Sequence, residues 1–277
     1  PLHTIKKPKK MANNIKWEFA LLLCLTFALS KAQTKIIAHR GYSSLAPENT
    51  LAAFQKAIDC KADFLELDVH RSKDDSIVVI HDSSIDRTSS YNKKGKVSDL
   101  TYNELTQVKV GYPDKFGDKY LNEKIPTLRE ALLLAKDKIG VCIEIKTYGI
   151  EGSVLKIVEE LDMNEQVILF SFYYPVLAKT RQLDKQIPTL YLKGKADQLT
   201  LDYAGVISSN AIGVGSGTHL DKAYLNQAHE LEMEVWQWTV NEEKQMQSLL
   251  ELGIDGIITD FPEKALQIRS SIQNESE

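Results

Sequence analysis

Eight short runs rich in apolar and β-branched residues recur along the chain, near 36–39, 63–68, 141–146, 167–171, 188–192, 211–214, 235–239 and 256–260. Helix-period patterns intervene, among them 49–60, 127–137, 153–162, 174–183, 222–232 and 242–252. Parallel strands need long crossovers, usually helical, so this alternation leaves few solutions. Eight such units predict an α/β chain closed into a (β/α)8 barrel, the TIM barrel. Thr101 with Glu104 and Thr127 with Glu130 have the capping-box spacing, in which the two side chains satisfy each other's exposed backbone donors at a helix start.

One further run, Ile77-Val78-Val79-Ile80, breaks the pattern. It follows Asp68 too closely for a parallel crossover, so a hairpin turning at 73–76 is expected after the second strand, with 72 facing 77 and 68 facing 81. That pairing would return His81 to the side of Asp68 at the barrel mouth. Residues 83–125 then read as a polar loop insertion with Gly95, Gly111, Pro113 and Gly117 as breakers. A segment of that length at a catalytic face suits a lid or a substrate-selecting loop.

Residues 1–32 hold six lysines and one acid, Glu18; the remainder holds 28 basic and 37 acidic residues, a net of −9. So acidic a body offers no electrostatic footprint for nucleic acid or an anionic membrane. The first 32 residues read as an upstream segment and a signal peptide. Met11 is the expected start, Lys16 lies in a short positive region, and an apolar stretch covers 19–29. Ser30-Lys31-Ala32 then supplies small residues for cleavage before Gln33. The apolar stretch is about half of the roughly 20 residues needed to span a bilayer, and Leu23 before Cys24 argues against a lipid anchor. The expectation is an exported protein, periplasmic or secreted after cleavage near Ala32, with no stable membrane anchor. Residues 33–277 would form one catalytic domain, with residues 1–10 playing no part in it. Cys60 and Cys142 are expected as buried free thiols, and no zinc-type cysteine spacing exists.

The chemistry-bearing groups gather at strand ends. His39-Arg40-Gly41 closes the first run and is answered by Glu66-Leu67-Asp68 and His81-Asp82. Period-2 geometry puts Glu66 and Asp68 on one strand face, and Glu144 and Lys146 on one face of another. Three converging carboxylates repel one another unless a cation sits between them. An all-oxygen set selects one hard divalent ion, Ca2+ or Mg2+, over zinc. Metal-assisted acid–base chemistry on a phosphate is the expectation.

The ordered motifs Ile37-Ala38-His39-Arg40-Gly41, Pro47-Glu48-Asn49-Thr50, Glu66-Leu67-Asp68-Val69 and His81-Asp82 resemble the glycerophosphodiester phosphodiesterase family. Further matches are Arg87-Thr88, Pro126-Thr127-Leu128, Glu144-Ile145-Lys146, Ser171-Phe172, Trp238-Thr239-Val240-Asn241 and Gly256-Ile257-Ile258-Thr259-Asp260. The resemblance implies a TIM-barrel enzyme that splits a small-molecule glycerophosphodiester into an alcohol and glycerol 3-phosphate. By position it makes Glu66, Asp68 and Glu144 metal ligands and His39 and His81 the acid–base pair. Arg40 and Lys146 would hold the phosphate, and Trp238 would line the substrate pocket. Attack by the substrate's 2-hydroxyl and attack by water both remain open, as does which histidine is base. After Arg87-Thr88 the chain departs from the family with Ser89-Ser90-Tyr91-Asn92, a change that bears on headgroup choice.

Glu48 divides equally between a site role and a structural one, and Asn49 reads as a helix cap. His219 and His229 are expected at the surface, Trp236 in the barrel core beneath the pocket, and Lys93-Lys94-Gly95-Lys96 in a solvated loop. Two other functions compete: a lysophospholipase D-like or sphingomyelinase D-like lipid phosphodiesterase on the same barrel, and a non-catalytic glycerophosphodiester-binding protein. The first needs a greasy entrance, of which the insertion offers little. The second requires a missing histidine or carboxylate, and none is missing.

Overall fold

The computed structural model describes residues 33–274; the signal-peptide reading, with Met11, Cys24 and Ala32, lies outside them. The elements run β1 (Lys35–Ala38), α1 (Leu51–Asp59), β2 (Phe64–Arg71), β3 (Ile77–Val79), α2 (Tyr102–Leu105), α3 (Pro113–Phe116), α4 (Leu128–Ala135) and β4 (Gly140–Ile145). Then follow α5 (Glu151–Glu160), β5 (Val167–Ser171), α6 (Tyr174–Leu183), β6 (Thr189–Lys193), α7 (Gln198–Val206), β7 (Ala211–Gly215), α8 (Lys222–Glu230), β8 (Glu234–Trp238), α9 (Glu243–Leu252), β9 (Gly256–Thr259) and α10 (Pro262–Asn274). Every strand expected from the sequence forms. Eight of them pair in parallel and close through β1 on β2, while β3 joins β2 antiparallel.

Strand period 2 divides the apolar residues into two sets. Ile37, Cys142, Phe170, Leu190, Leu192, Trp236 and Ile258 fill the barrel interior with Phe64. The alternate positions, such as Leu65, Leu67, Val69 and Ile143, face outward and pack with α1, α4 and α5. The same alternation turns Glu66, Asp68 and Glu144 inward, above Phe64 and Cys142. Trp236 is packed beneath the mouth as expected, with ring centroids 6.1 Å from Phe64 and 5.6 Å from Phe170.

Both capping boxes form, at Thr101 with Glu104 and at Thr127 with Glu130. The hairpin also forms, but its register differs by one residue from the expected pairing: Val69 faces Val79 and Arg71 faces Ile77. The turn has three residues rather than four. Ser72 N–H donates to Ser76 O at 2.9 Å, and Asp75 takes a left-handed φ of 62°, the geometry of a three-residue hairpin loop. Asp68 therefore pairs with Ile80, whose N–H donates to Asp68 O at 3.0 Å, and His81 continues past the ladder. The insertion is less polar inside than its sequence reads. Val78, Ile80, Ile85, Val97, Leu105, Val108, Val110 and Ile125 form a small core of its own. The Lys93, Lys94 and Lys96 side chains are exposed. Cys142 is buried and free, whereas Cys60, also free, is only half-buried rather than fully buried. Among the described residues no helix is long and apolar enough to cross a membrane.

Gly256 stands opposite Trp236 in the β8–β9 ladder, and a Cβ there would lie 2.5 Å from the indole. Gly256→Ala is expected to force the ring out of its packed position and cost about 1–3 kcal/mol, read as a fall in thermal midpoint with the far-ultraviolet spectrum retained.

Candidate active site

The C-terminal ends of β1, β2 and β4 and the segment after β3 deliver the polar groups to one mouth. Ligand oxygens of Glu66, Asp68 and Glu144 lie within 4.8 Å of one another, all three residues buried. The cations are interleaved with them. Lys146 Nζ lies 2.8 Å from Glu144 Oε1 and 3.5 Å from Asp68 Oδ1. Arg40 Nε lies 3.5 Å from Asp68 Oδ2, and the Arg40 backbone N–H donates to Glu66 Oε2 at 2.7 Å. That backbone donor is aimed by a left-handed conformation at Arg40, φ 54°, which a non-glycine residue adopts at a cost. Gly41 continues the turn at φ 78°, where a Cβ would meet the Ala53 backbone at 2.7 Å. The glycine of His39-Arg40-Gly41 thus lets α1 approach the end of β1.

Burial and mutual repulsion set the protonation of this cluster. Burial, with Asp68 and Glu144 beside it, raises the Glu66 carboxyl well above its ordinary range. Burial and the Asp68 charge push Glu144 up to about 7. Burial would raise Asp68 too, but Lys146 and Arg40 overcome it and hold that carboxyl low. Three oxygen-bearing groups so close, two of them resisting ionisation, fit one hard divalent cation.

The two histidines flank this cluster, each pinned through Nδ1 by an aspartate. His39 Nδ1 lies 2.7 Å from Asp260 Oδ1, and His81 Nδ1 lies 2.6 Å from Asp82 Oδ1. In each ring this leaves Nε2 for chemistry. Lys146 Nζ donates to His81 Nε2 at 3.2 Å, so that nitrogen carries a lone pair and the ring is neutral. Burial lowers the His81 pKa, with Arg40 and Lys146 acting in the same direction against Asp68 and Asp82. Burial would also raise Asp260, but bonds from His39, Asn241 and Ser43 hold it at about 2. Arg87 holds Asp82 at about 2 as well.

Several groups act here in roles that the sequence left open or placed elsewhere. Thr50 caps α1 by accepting from Ala53 N–H, which overturns the cap reading of Asn49. Asn49 Nδ2 instead donates to Asp68 Oδ2 at 2.8 Å, and its Oδ1 accepts the Asp68 N–H at 3.2 Å. Glu48 bonds Arg40 Nη1 at 3.0 Å and accepts two bonds from Arg87, each 2.8 Å. Arg87 Nε in turn donates to Asp82 Oδ2 at 2.7 Å. One ionic chain therefore runs from Arg40 through Glu48, Arg87 and Asp82 to His81. Asp82 and Asp260 do leave a signal in the sequence, since each directly follows a strand-end residue of the mouth. His229 is exposed and pairs with Asp255 at 2.8 Å; His219 is exposed as well and lines a different cavity from the mouth.

The mouth is a cavity of about 160 Å³, with His39, Arg40, Glu66, His81, Glu144 and Lys146 on its polar side. Phe170, Phe172, Leu192, Trp238 and Ile258 form the opposite wall. Trp238 is thus at the pocket, packed edge-on against Phe172 at 5.1 Å between centroids. Such a site can take an anion between fixed cations, with imidazoles on two sides.

Comparison with known proteins agrees. The model of the "Glycerophosphoryl diester phosphodiesterase family" matches residues 39–264. A glycerophosphodiester phosphodiesterase of Caldanaerobacter subterraneus subsp. tengcongensis is 36% identical over 250 residues, covering 85% of this chain and 98% of the relative. One from Bacillus altitudinis is 34% identical, covering 87% of this chain and 100% of the relative. The crystal structure of an Oleispira antarctica phosphodiesterase in complex with the product sn-glycerol-3-phosphate superposes with a TM-score of 0.77 at 26% identity, covering 86% of this chain and 97% of that one. With this barrel, this mouth and these relatives, the chain belongs to the glycerophosphoryl diester phosphodiesterase family.

Proposed function

We propose that the protein is an exported, divalent-metal-dependent glycerophosphodiester phosphodiesterase that releases an alcohol and glycerol 3-phosphate from small, water-soluble diesters. Family membership makes it a phosphoric diester hydrolase. The observation that carries the finer reading is the pairing of two aspartate-pinned imidazoles across one pocket that also holds three carboxylates and two cations. The mouth, with a volume of about 160 Å³, favours a small soluble diester over an acylated lipid.

Glu66, Asp68 and Glu144 would hold the cation. When bound, it supplies Lewis-acid charge stabilisation to the phosphoryl oxygens. Arg40 and Lys146 bind and orient the phosphate, their charges set against the negative charge that builds on its oxygens. His81, neutral in this arrangement, takes the proton from the attacking hydroxyl on Nε2 as the new O–P bond forms, once Lys146 turns from that nitrogen to the phosphate. His39 Nε2 gives a proton to the leaving oxygen as its bond to phosphorus breaks. Asp82 and Asp260 keep the rings oriented through both transfers, and Trp238 with Phe172 packs the glycerol arm and excludes water. Export rests on the lysine-led apolar stretch at 19–29 and the small residues before Gln33.

His39→Ala and His81→Ala are each expected to lower kcat by about 10²–10⁴ with the fold retained by circular dichroism; near-wild-type turnover in either would remove that residue from the acid–base pair. Stripping divalent ions is expected to abolish turnover, and adding back Mg2+ or Ca2+ to restore it. The metal-free protein should also become less stable as pH rises. Folded Glu144 keeps its proton up to about 7, whereas its ordinary value is 4.5, so between these values the folded state binds more protons than the unfolded one. Its stabilising contribution, full below the lower value, is lost as pH climbs through the upper. Thermal midpoints measured across that window should fall without metal and hold with it.

A further inference from the structure

His39 and Arg40 belong to two cavities at once. Besides the mouth, a second hollow of about 190 Å³ opens on their other side, toward α3 of the insertion. Its walls include Ser43, Ser44, Tyr112, Lys115, Phe116 and Phe261. A phosphodiester has two arms, and displacement at phosphorus places the attacking and leaving oxygens roughly in line on opposite sides. A leaving arm held beside His39 would reach this hollow, since His39 and Arg40 line both cavities.

The polar groups of the hollow define what it can accept. Both carboxylates there are already committed. Asp260 takes His39 and Ser43 on one oxygen and Asn241 on the other. Glu48 has both oxygens bonded to arginines. Donors, in contrast, are left over. Lys115 Nζ donates one bond to Ser43 O at 3.0 Å, leaving two N–H groups, and it lies 4.8 Å from the Phe116 ring centre. The wall is also held in place. Tyr120 packs on Phe116 at 5.6 Å and donates to Leu45 O at 3.1 Å, and Tyr112 bonds Arg87 at 3.0 Å.

Building on the phosphodiesterase reading, we propose that this second hollow is the leaving-alcohol subsite. Lys115 makes it select uncharged, hydroxyl-rich headgroups over quaternary ammonium ones. A polyol satisfies the spare Lys115 N–H groups. A choline-type cation meets a fixed positive charge and no free carboxylate.

The test compares kcat/KM for glycerophosphoinositol and glycerophosphocholine, with Mg2+ supplied and glycerol 3-phosphate release as the common readout. The wild-type chain is expected to prefer the inositol ester by about tenfold or more, the worth of a hydrogen bond plus a repelled charge. Lys115→Ala should erase most of that ratio, and Lys115→Glu should reverse it. A ratio that stays the same in wild type and both variants, or a wild-type preference for choline, overturns the subsite while the phosphodiesterase reading stands. A wild-type chain that cleaves neither ester overturns both.

Discussion

Three carboxylates buried around one point repel one another, and the mouth of this barrel is arranged around that repulsion. Strand alternation turns Glu66, Asp68 and Glu144 inward, and burial removes the water that would screen them. Lys146 and Arg40 offset part of the charge, both through their proximity to Asp68. The remainder appears as Glu66 and Glu144 carboxyls that resist ionisation. A divalent cation would displace their protons, so metal affinity, local pH response and stability of the domain are three faces of one electrostatic condition.

The histidines are coupled to the same condition by different routes. His81 reaches the cluster through Lys146, which touches Glu144 on one side and the imidazole on the other. His39 reaches it through the chain itself, since the next residue, Arg40, donates its backbone N–H to Glu66. The ionic chain of Glu48, Arg87 and Asp82 then closes the far side. Removing one member would leave a neighbouring charge without its counterpart, so effects at this mouth are not expected to add residue by residue.

Much of this was legible in the sequence, because period-2 alternation and strand-end placement are strong signals. The eight barrel strands, the hairpin and the convergence of Glu66, Asp68, Glu144, Lys146 and the two histidines all follow from them. The failures lie where local chemistry leaves two neighbours equivalent. Asn49 and Thr50 are both good cap residues, and only the tertiary position of Asp68 decides which one caps. The hairpin register turned on a single left-handed aspartate, Asp75, whose conformation shortened the loop by one residue. His81 still arrives at the mouth because it lies beyond the last ladder pair, where a one-residue slip no longer decides which face a side chain takes. The pairings of Asp82 and Asp260 with the histidines were not drawn, since the strand-end pattern places a residue at the mouth without naming its partner. The apolar centre of the insertion was missed for a plainer reason: its residues are scattered through a polar stretch with no helical or strand period.

The mouth is also divided in two. Polar groups come from β1, β2, β4 and the segments following β3 and β9, while Phe170, Phe172, Leu192 and Trp238 arrive from β5, β6 and β8. Proton transfer and charge therefore sit on one arc of the rim, and shape on the other. Lys146 approaches Phe172 at 5.8 Å where the two arcs adjoin. Changes on the apolar arc can thus reshape what fits without altering the ionisation of the reactive groups. A barrel partitioned in this way can acquire new substrates by drift along one arc while the chemistry on the other stays intact.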